Sequence, residues 1–212
     1  MQLKTFLETK LGVAIELLLF FAVALSTFQL GIVIPILVVI AIGSLKIRKL
    51  KYRELGFIKT DFKLKNILLG IGVAFFYFGL FYFIDPFLYK FTNGSLPEVF
   101  DIKEDIPKLI IGLIVTWTVA AFGEEILFRG YLIRRLIDLT GERFPAKVLT
   151  VILVGAAFGF VHYYQGTHGV VVAGIIGMFQ SVIYLTHQKK LVIPIIAHGT
   201  FDTIGFATLF FA

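Results

Sequence analysis

This chain of 212 residues contains no cysteine. Disulfides, thiolate nucleophiles and Cys-ligated zinc are therefore excluded, and cysteine usage carries no information on compartment. Charge is scarce as well: Asp, Glu, Lys and Arg make up 16% of the residues, against 58% that are hydrophobic, and the mean hydropathy is +0.91. A soluble domain carries charge on roughly a quarter of its positions and could not bury so much Phe, Ile, Leu and Val. Apolar runs long enough to span a bilayer recur along the chain, which implies a multi-pass membrane protein with the lipid bilayer as its first partner. The net charge of +6 does not point to nucleic acid. Its Lys and Arg lie in short segments between apolar runs, the pattern of cytoplasmic membrane loops.

The pattern predicts an all-α polytopic helix bundle of about seven transmembrane helices, at 11–28, 30–45, 66–88, 108–131, 148–164, 169–187 and 191–211. The first two runs are short and read equally as one broken or re-entrant unit. Lys4, Lys10, the following apolar run and "AVA" at 22–24 imitate a cleavable leader, but a second apolar run follows at once, so a retained helix is expected. Residues 1–104 then hold the N-terminal transmembrane helices and a basic loop, "KIRKLKYRELGFIKTDFKLK" (46–65), and residues 105–212 form the second unit. The other hydrophilic connection, 90–108, is acidic and carries the turn residues Asn93, Gly94 and Pro97. With the N-terminus inside, sixteen of the twenty Lys and Arg fall in inner segments, and only Lys90, Lys103 and Lys108 in outer ones. This asymmetry predicts the N-terminus in and the C-terminus out, in the cytoplasmic (cell) membrane.

Three polar groups interrupt the last runs: Glu124, Glu125 and Arg129 in "EEILFR", Phe158 and His162 in "FGFVH", and His198 and Asp202 in "HGTFD". Glu125 and Arg129 are four apart on one helical face, with the acid N-terminal to the base, the favourable order for an ion pair. Glu124 points about 100° away, free for chemistry. His198 and Asp202 also share a face, and Phe158 lies one turn before His162. Counted from the inner boundary, Glu124 lies about 12 Å deep, His198 about 11 Å, Asp202 about 17 Å and His162 about 18 Å. All four therefore fall between the inner interface and the midplane, where one shared site is possible. A lone ion pair or histidine in a membrane ordinarily serves packing. So many ionisable groups at one depth point to function, because uncompensated burial is costly. Glu16, Asp85, His168 and His187 are read as span-end or interface residues, with Lys10 a candidate partner for Glu16, and Gln180 and Ser181 as interhelical hydrogen bonders.

A glutamate and two histidines around a water pocket are equipped for acid–base chemistry, and hydrolysis of an amide bond fits these parts. The zincin helix H-E-x-x-H and the nucleophile elbow G-x-S-x-G are both absent. In order and spacing, the three groups match E-E-x-x-x-R, F-x-x-x-H and H-x-x-x-N/D. Over about residues 105–205 the chain resembles the CAAX prenyl protease and bacteriocin-processing (CPBP, or Abi) family of intramembrane proteases, and "RELGF" (53–57) is also similar to family members. The resemblance implies that 105–212 is the catalytic bundle, that Glu124 and His162 activate a water, and that His198 and Asp202 face the developing oxyanion. Glu125, Arg129 and Phe158 would support them, and the substrate would be a membrane-associated peptide or protein.

The glutamate mechanism requires no cofactor, although Glu124, His162, His198 and Asp202 are also zinc ligands by type. Asp202 departs from the prenyl-protease branch, which has Asn there. An Asp donates to an oxyanion only when protonated, so the departure bears on whether prenylated substrates are used. Two other readings compete: a non-catalytic immunity or scaffold protein of the same fold, and a proton-coupled transporter using Glu124 and the histidines as a relay.

Because the chain lacks cysteine, single introduced ones report topology cleanly. Lys51→Cys is expected to react with a membrane-impermeant maleimide only after the inner face is opened, and Lys90→Cys in intact cells. The reverse pattern would invert the topology.

Overall fold

A computed structural model describes residues 3–27, 33–92 and 102–211. Regular structure among them is entirely helical: α1 (Leu3–Leu7), α2 (Lys10–Thr27), α3 (Val33–Arg48), α4 (Leu64–Thr92), α5 (Ile106–Thr140), α6 (Phe144–Val161), α7 (Gly166–Thr186) and α8 (Val192–Phe211). Among the described residues five helices are long and apolar enough to cross a membrane: α4, α5, α6, α8, and α7 together with the 3₁₀ turn Tyr163–Gln165 before it. They correspond to the last five runs of the sequence, and the chain is a multi-pass membrane protein. The first two runs fold as α2 and α3, of 18 and 16 residues. Residues 28–32, where they meet, and the turn residues Asn93, Gly94 and Pro97 lie outside the described residues.

Local chemistry explains where the central helices begin. The Asp105 carboxylate accepts the Lys108 backbone N–H at 3.0 Å, and Pro107 occupies the first turn, so α5 starts with a side-chain cap and a preset φ. Pro145 likewise presets φ in the first turn of α6, where no side chain caps the helix. The 35 residues of α5 would reach about 50 Å, well beyond a hydrocarbon core of about 30 Å, so one end projects past it. Much of α5 is wound wider than an α-helix, with π geometry over Thr116–Glu124 and Ile126–Leu132. Such winding is rare and recurs at functional sites.

Outward faces are apolar, as lipid requires: Phe75, Phe76, Phe83 and Phe87 of α4 are exposed. The core gathers around the second half of α5, where Leu127, Phe128, Tyr131 and Leu132 are buried. Helix α4 runs along α8, and α6 along α7. The α6–α7 seam is built from small residues, since a Cβ on Gly159 would overlap the Val170 carbonyl oxygen and meet Gly174.

The basic loop is locked onto one end of the bundle. Leu55 is buried and its carbonyl accepts the Tyr184 hydroxyl at 2.9 Å. The Gly56 carbonyl accepts the Leu191 N–H at 3.0 Å, and the Glu54 carbonyl accepts Arg134 Nη1 at 2.8 Å. Glu16 does not pair with Lys10. It turns inward to Arg135 and Ser44 and accepts the Tyr131 hydroxyl at 2.6 Å, joining α2, α3 and α5. Burial explains the choice: a carboxylate at 8% exposure needs several donors, which one exposed lysine cannot supply.

Gly56 has φ of 90°, and a Cβ there would overlap the Lys189 carbonyl oxygen. Gly141 has the same φ with open space around it. Gly141→Ala is expected to cost about 1–3 kcal/mol from backbone strain, and Gly56→Ala clearly more. Thermal unfolding of the purified variants in detergent would check the order.

Candidate active site

The π-wound part of α5 sets Glu124 and Glu125 side by side with different surroundings. Glu125 is wholly buried, and its Oε1 accepts Arg129 Nη1 at 2.9 Å, the pair expected from the i,i+4 spacing. The same oxygen lies 2.9 Å from His198 Nδ1 on α8, a contact the spacing does not foretell. Arg129 is also at zero exposure, and its Nη2 donates to the Gly177 carbonyl on α7 at 3.1 Å. Its guanidinium carbon stands 4.5 Å from the centre of the Phe158 ring, a cation–π contact in a desolvated place. One buried carboxylate therefore ties α5 to α8, and one buried guanidinium ties α5 to α6 and α7.

Phe158 is the hub of the aromatic packing. Its ring centre lies 4.7 Å from that of His162, 5.9 Å from that of His198 and 5.0 Å from that of Phe128. His162 is not inside a helix, as the sequence pattern suggests; α6 ends at Val161, and His162 opens the short connection to α7. Its Nδ1–H donates to the Phe158 carbonyl at 2.7 Å, and Tyr164 stacks on the ring at 5.9 Å. A carbonyl oxygen only accepts, so Nε2 is the nitrogen left for another partner. His198 Nε2 lies 3.5 Å from Asp202 Oδ2, one turn further along α8.

These side chains meet at a cavity of about 960 Å³, lined by Glu124, Phe158, His162, His198 and Asp202. Glu124 is 8% exposed, and its Oε2 has no hydrogen-bond partner among the described residues. Most of the remaining wall is apolar, with Ile34 from α3, Ile111 and Val115 from α5, and Phe206 and Leu209 from α8. Glu125 and Arg129 stand behind the wall rather than on it.

Tyr77, Tyr164 and Gln180 also line the cavity. Gln180 does bond between helices, donating from Nε2 to the Pro194 carbonyl at 3.2 Å, whereas Ser181 bonds back to Gly177 within its own helix. His168 lies away from the cavity, 2.9 Å from Asp85 Oδ1, and pins α7 to α4.

The four possible zinc donors do not converge: no group of three or more His, Asp or Glu among the described residues could hold a metal ion. Both ring nitrogens of His198 already face carboxylates, and Nδ1 of His162 faces a carbonyl. The described residues do not form a zinc site.

Residues 106–204 match the model of the family described as type II CAAX prenyl endopeptidase Rce1-like, a protease family of the kind the three motifs resemble. Neither the curated proteins nor the solved structures yielded a match.

The two neighbouring glutamates should separate in stability measurements. Arg129→Met leaves Glu125 buried without its guanidinium and is expected to cost about 3–5 kcal/mol. Adding Glu125→Gln should recover part of that. Glu124→Gln, at an oxygen with no partner among the described residues, is expected to stay within about 1 kcal/mol of wild type. Denaturation of the four proteins under matched conditions would check this.

Proposed function

We propose that this chain, Rce1-like over residues 106–204, is an intramembrane endopeptidase that hydrolyses peptide bonds of membrane-associated proteins or peptides, with CAAX-type prenylated chains among the candidates. The carrying observation is the contrast between adjacent carboxylates. Glu125 is held by Arg129 and His198 behind the wall, while Glu124 lies on the cavity wall together with His162.

In this reading a water sits between the Glu124 carboxylate and His162 Nε2. Glu124 takes one proton as the water oxygen attacks the scissile carbonyl carbon, and the carbonyl π pair moves to oxygen. A proton on His198 Nε2 is placed to donate to that oxyanion, with Glu125 behind Nδ1 fixing the ring. When the tetrahedral adduct collapses, the C–N bond breaks and the proton held by Glu124 passes to the leaving amine. Asp202 orients His198 from the other side and contributes a hydrogen bond when it carries a proton. Arg129, through Gly177 and Phe158, keeps the assembly rigid.

The apolar remainder of the cavity suits a substrate that arrives from the bilayer rather than from water. By the distribution of Lys and Arg, the N-terminus lies inside, the C-terminus outside, and the site in the cytoplasmic half of the cell membrane.

Comparing new protein termini in cell membranes with wild type or Glu124→Gln at equal levels tests the proposal. Wild-type-specific termini are expected, with the variant slowed by about a hundredfold or more on the peptides they identify. Identical termini from two stably folded proteins would refute the protease reading.

A further inference from the structure

Two buried polar side chains on the cavity wall are not used by the hydrolytic arrangement. Tyr77 of α4 is 1% exposed, and its hydroxyl has no hydrogen-bond partner among the described residues. Gln180 of α7 is at zero exposure; Nε2 donates to the Pro194 carbonyl, and Oε1 has no partner among the described residues. Both line the same cavity as Glu124. Leaving a buried donor or acceptor unmet is unfavourable, and such groups in folded proteins call for an explanation.

Their surroundings hold them beside the reacting groups. Pro194, which anchors Gln180, lies four residues before His198 on one face of α8. Gly177, one turn before Gln180, gives its carbonyl to Arg129. The Tyr77 ring packs 6.2 Å from that of Phe201, next to Asp202, and 6.0 Å from that of Phe179, next to Gln180. Gln180 gives one Nε2 N–H to Pro194 and has its Oε1 acceptor unmet among the described residues, while Tyr77 offers a donor. A peptide main chain presents the complement, an N–H and a carbonyl oxygen, in every residue.

We propose that Tyr77 and Gln180 form a main-chain clamp: the Gln180 carbonyl accepts a substrate N–H and the Tyr77 hydroxyl donates to a substrate carbonyl, beside the bond to be cut. This rests on the peptidase reading and extends it. The subsite reads backbone rather than side chains, so it confers positioning without sequence preference.

The test uses the full chain in lipid nanodiscs and a fluorescent farnesylated CAAX-type peptide, with binding measured in the Glu124→Gln background and cleavage in wild type. Tyr77→Phe and Gln180→Met are each expected to weaken binding by about tenfold, the loss of one hydrogen bond. In the cleaving enzyme KM should rise while kcat holds within about twofold. Tyr77→Phe should not lower the melting temperature, because the hydroxyl has no partner among the described residues. A probe N-methylated at the contacted amide should bind wild-type Gln180 about tenfold more weakly than the parent probe, and bind Gln180→Met with no further loss.

Unchanged binding in both variants, or a Tyr77→Phe protein that melts earlier, would overturn the clamp and assign these groups to bound water. Binding without cleavage by wild type would overturn the protease reading instead, and the clamp would still stand or fall on the binding ratios. Absence of saturable binding would overturn the clamp together with the prenylated-peptide class.

Discussion

A carboxylate and a guanidinium at zero exposure face each other across 2.9 Å inside this bundle, and neither is tolerable there alone. The cost of stripping water from each charge is recovered only when geometry is good and the leftover donors and acceptors are met. The fold supplies part of that completion from three other helices, leaving Glu125 Oε2 and Arg129 Nε without a hydrogen-bond partner among the described residues. His198 of α8 comes to the Glu125 oxygen, Gly177 of α7 offers its carbonyl to Arg129, and Phe158 of α6 covers the guanidinium face. Helix positions across the second half of the molecule thus depend on one charge pair. Arg129 can reach Gly177 because that residue has no side chain and lies directly against Phe158.

That pair also frees its neighbour. Two adjacent glutamates on an apolar helix would compete for any nearby cation, yet the packing spends Arg129 and His198 on Glu125 and leaves Glu124 on the cavity wall. One π segment of α5 ends at Glu124 and the next begins at Ile126, with Glu125 in α geometry between them, and the early end of α6 sets His162 in a short connection where its ring turns on a backbone hydrogen bond. Glu124 and His162 therefore sit at irregular backbone, while His198 and Asp202 come to the cavity from the regular helix α8. Irregular backbone at membrane depth is tolerated where it lines a cavity, which is where it occurs here.

The ends of the bundle are fastened by different means. At the end bearing Arg134, the 52–61 segment lies against α5 and α7 through backbone carbonyls, and Glu16 gathers Arg135, Tyr131 and Ser44. On the far stretch of α4, Asp85 and Thr92 both meet His168 of α7. Between these fastenings lies the cavity, lined by α3, α4, α5, α6, α7 and α8. A site lined by so many helices requires their ends to be fixed independently of whatever fills it.

The residues alone determined the membrane class, the last five spans, the Glu125–Arg129 pair and the set of cavity-lining candidates Glu124, His162, His198 and Asp202. These follow from hydropathy, from 3.6-residue spacing, and from the cost of unpaired charge in lipid, all of which are local or compositional. Spacing could not say that His198 would bond Glu125, because that contact joins residues 73 apart on different helices. Nor could it end α6 before His162, since no proline marks the break; the next glycine with positive φ comes only at Gly166. Tyr77 and Tyr82 stand in one aromatic run, "FFYFGLFYF", with nothing to tell them apart, yet one is 1% exposed on the cavity wall and the other 72% exposed at the surface. Which face of α4 turns inward was decided by its packing along α8. A uniformly apolar helix carries no stripe of its own to choose one.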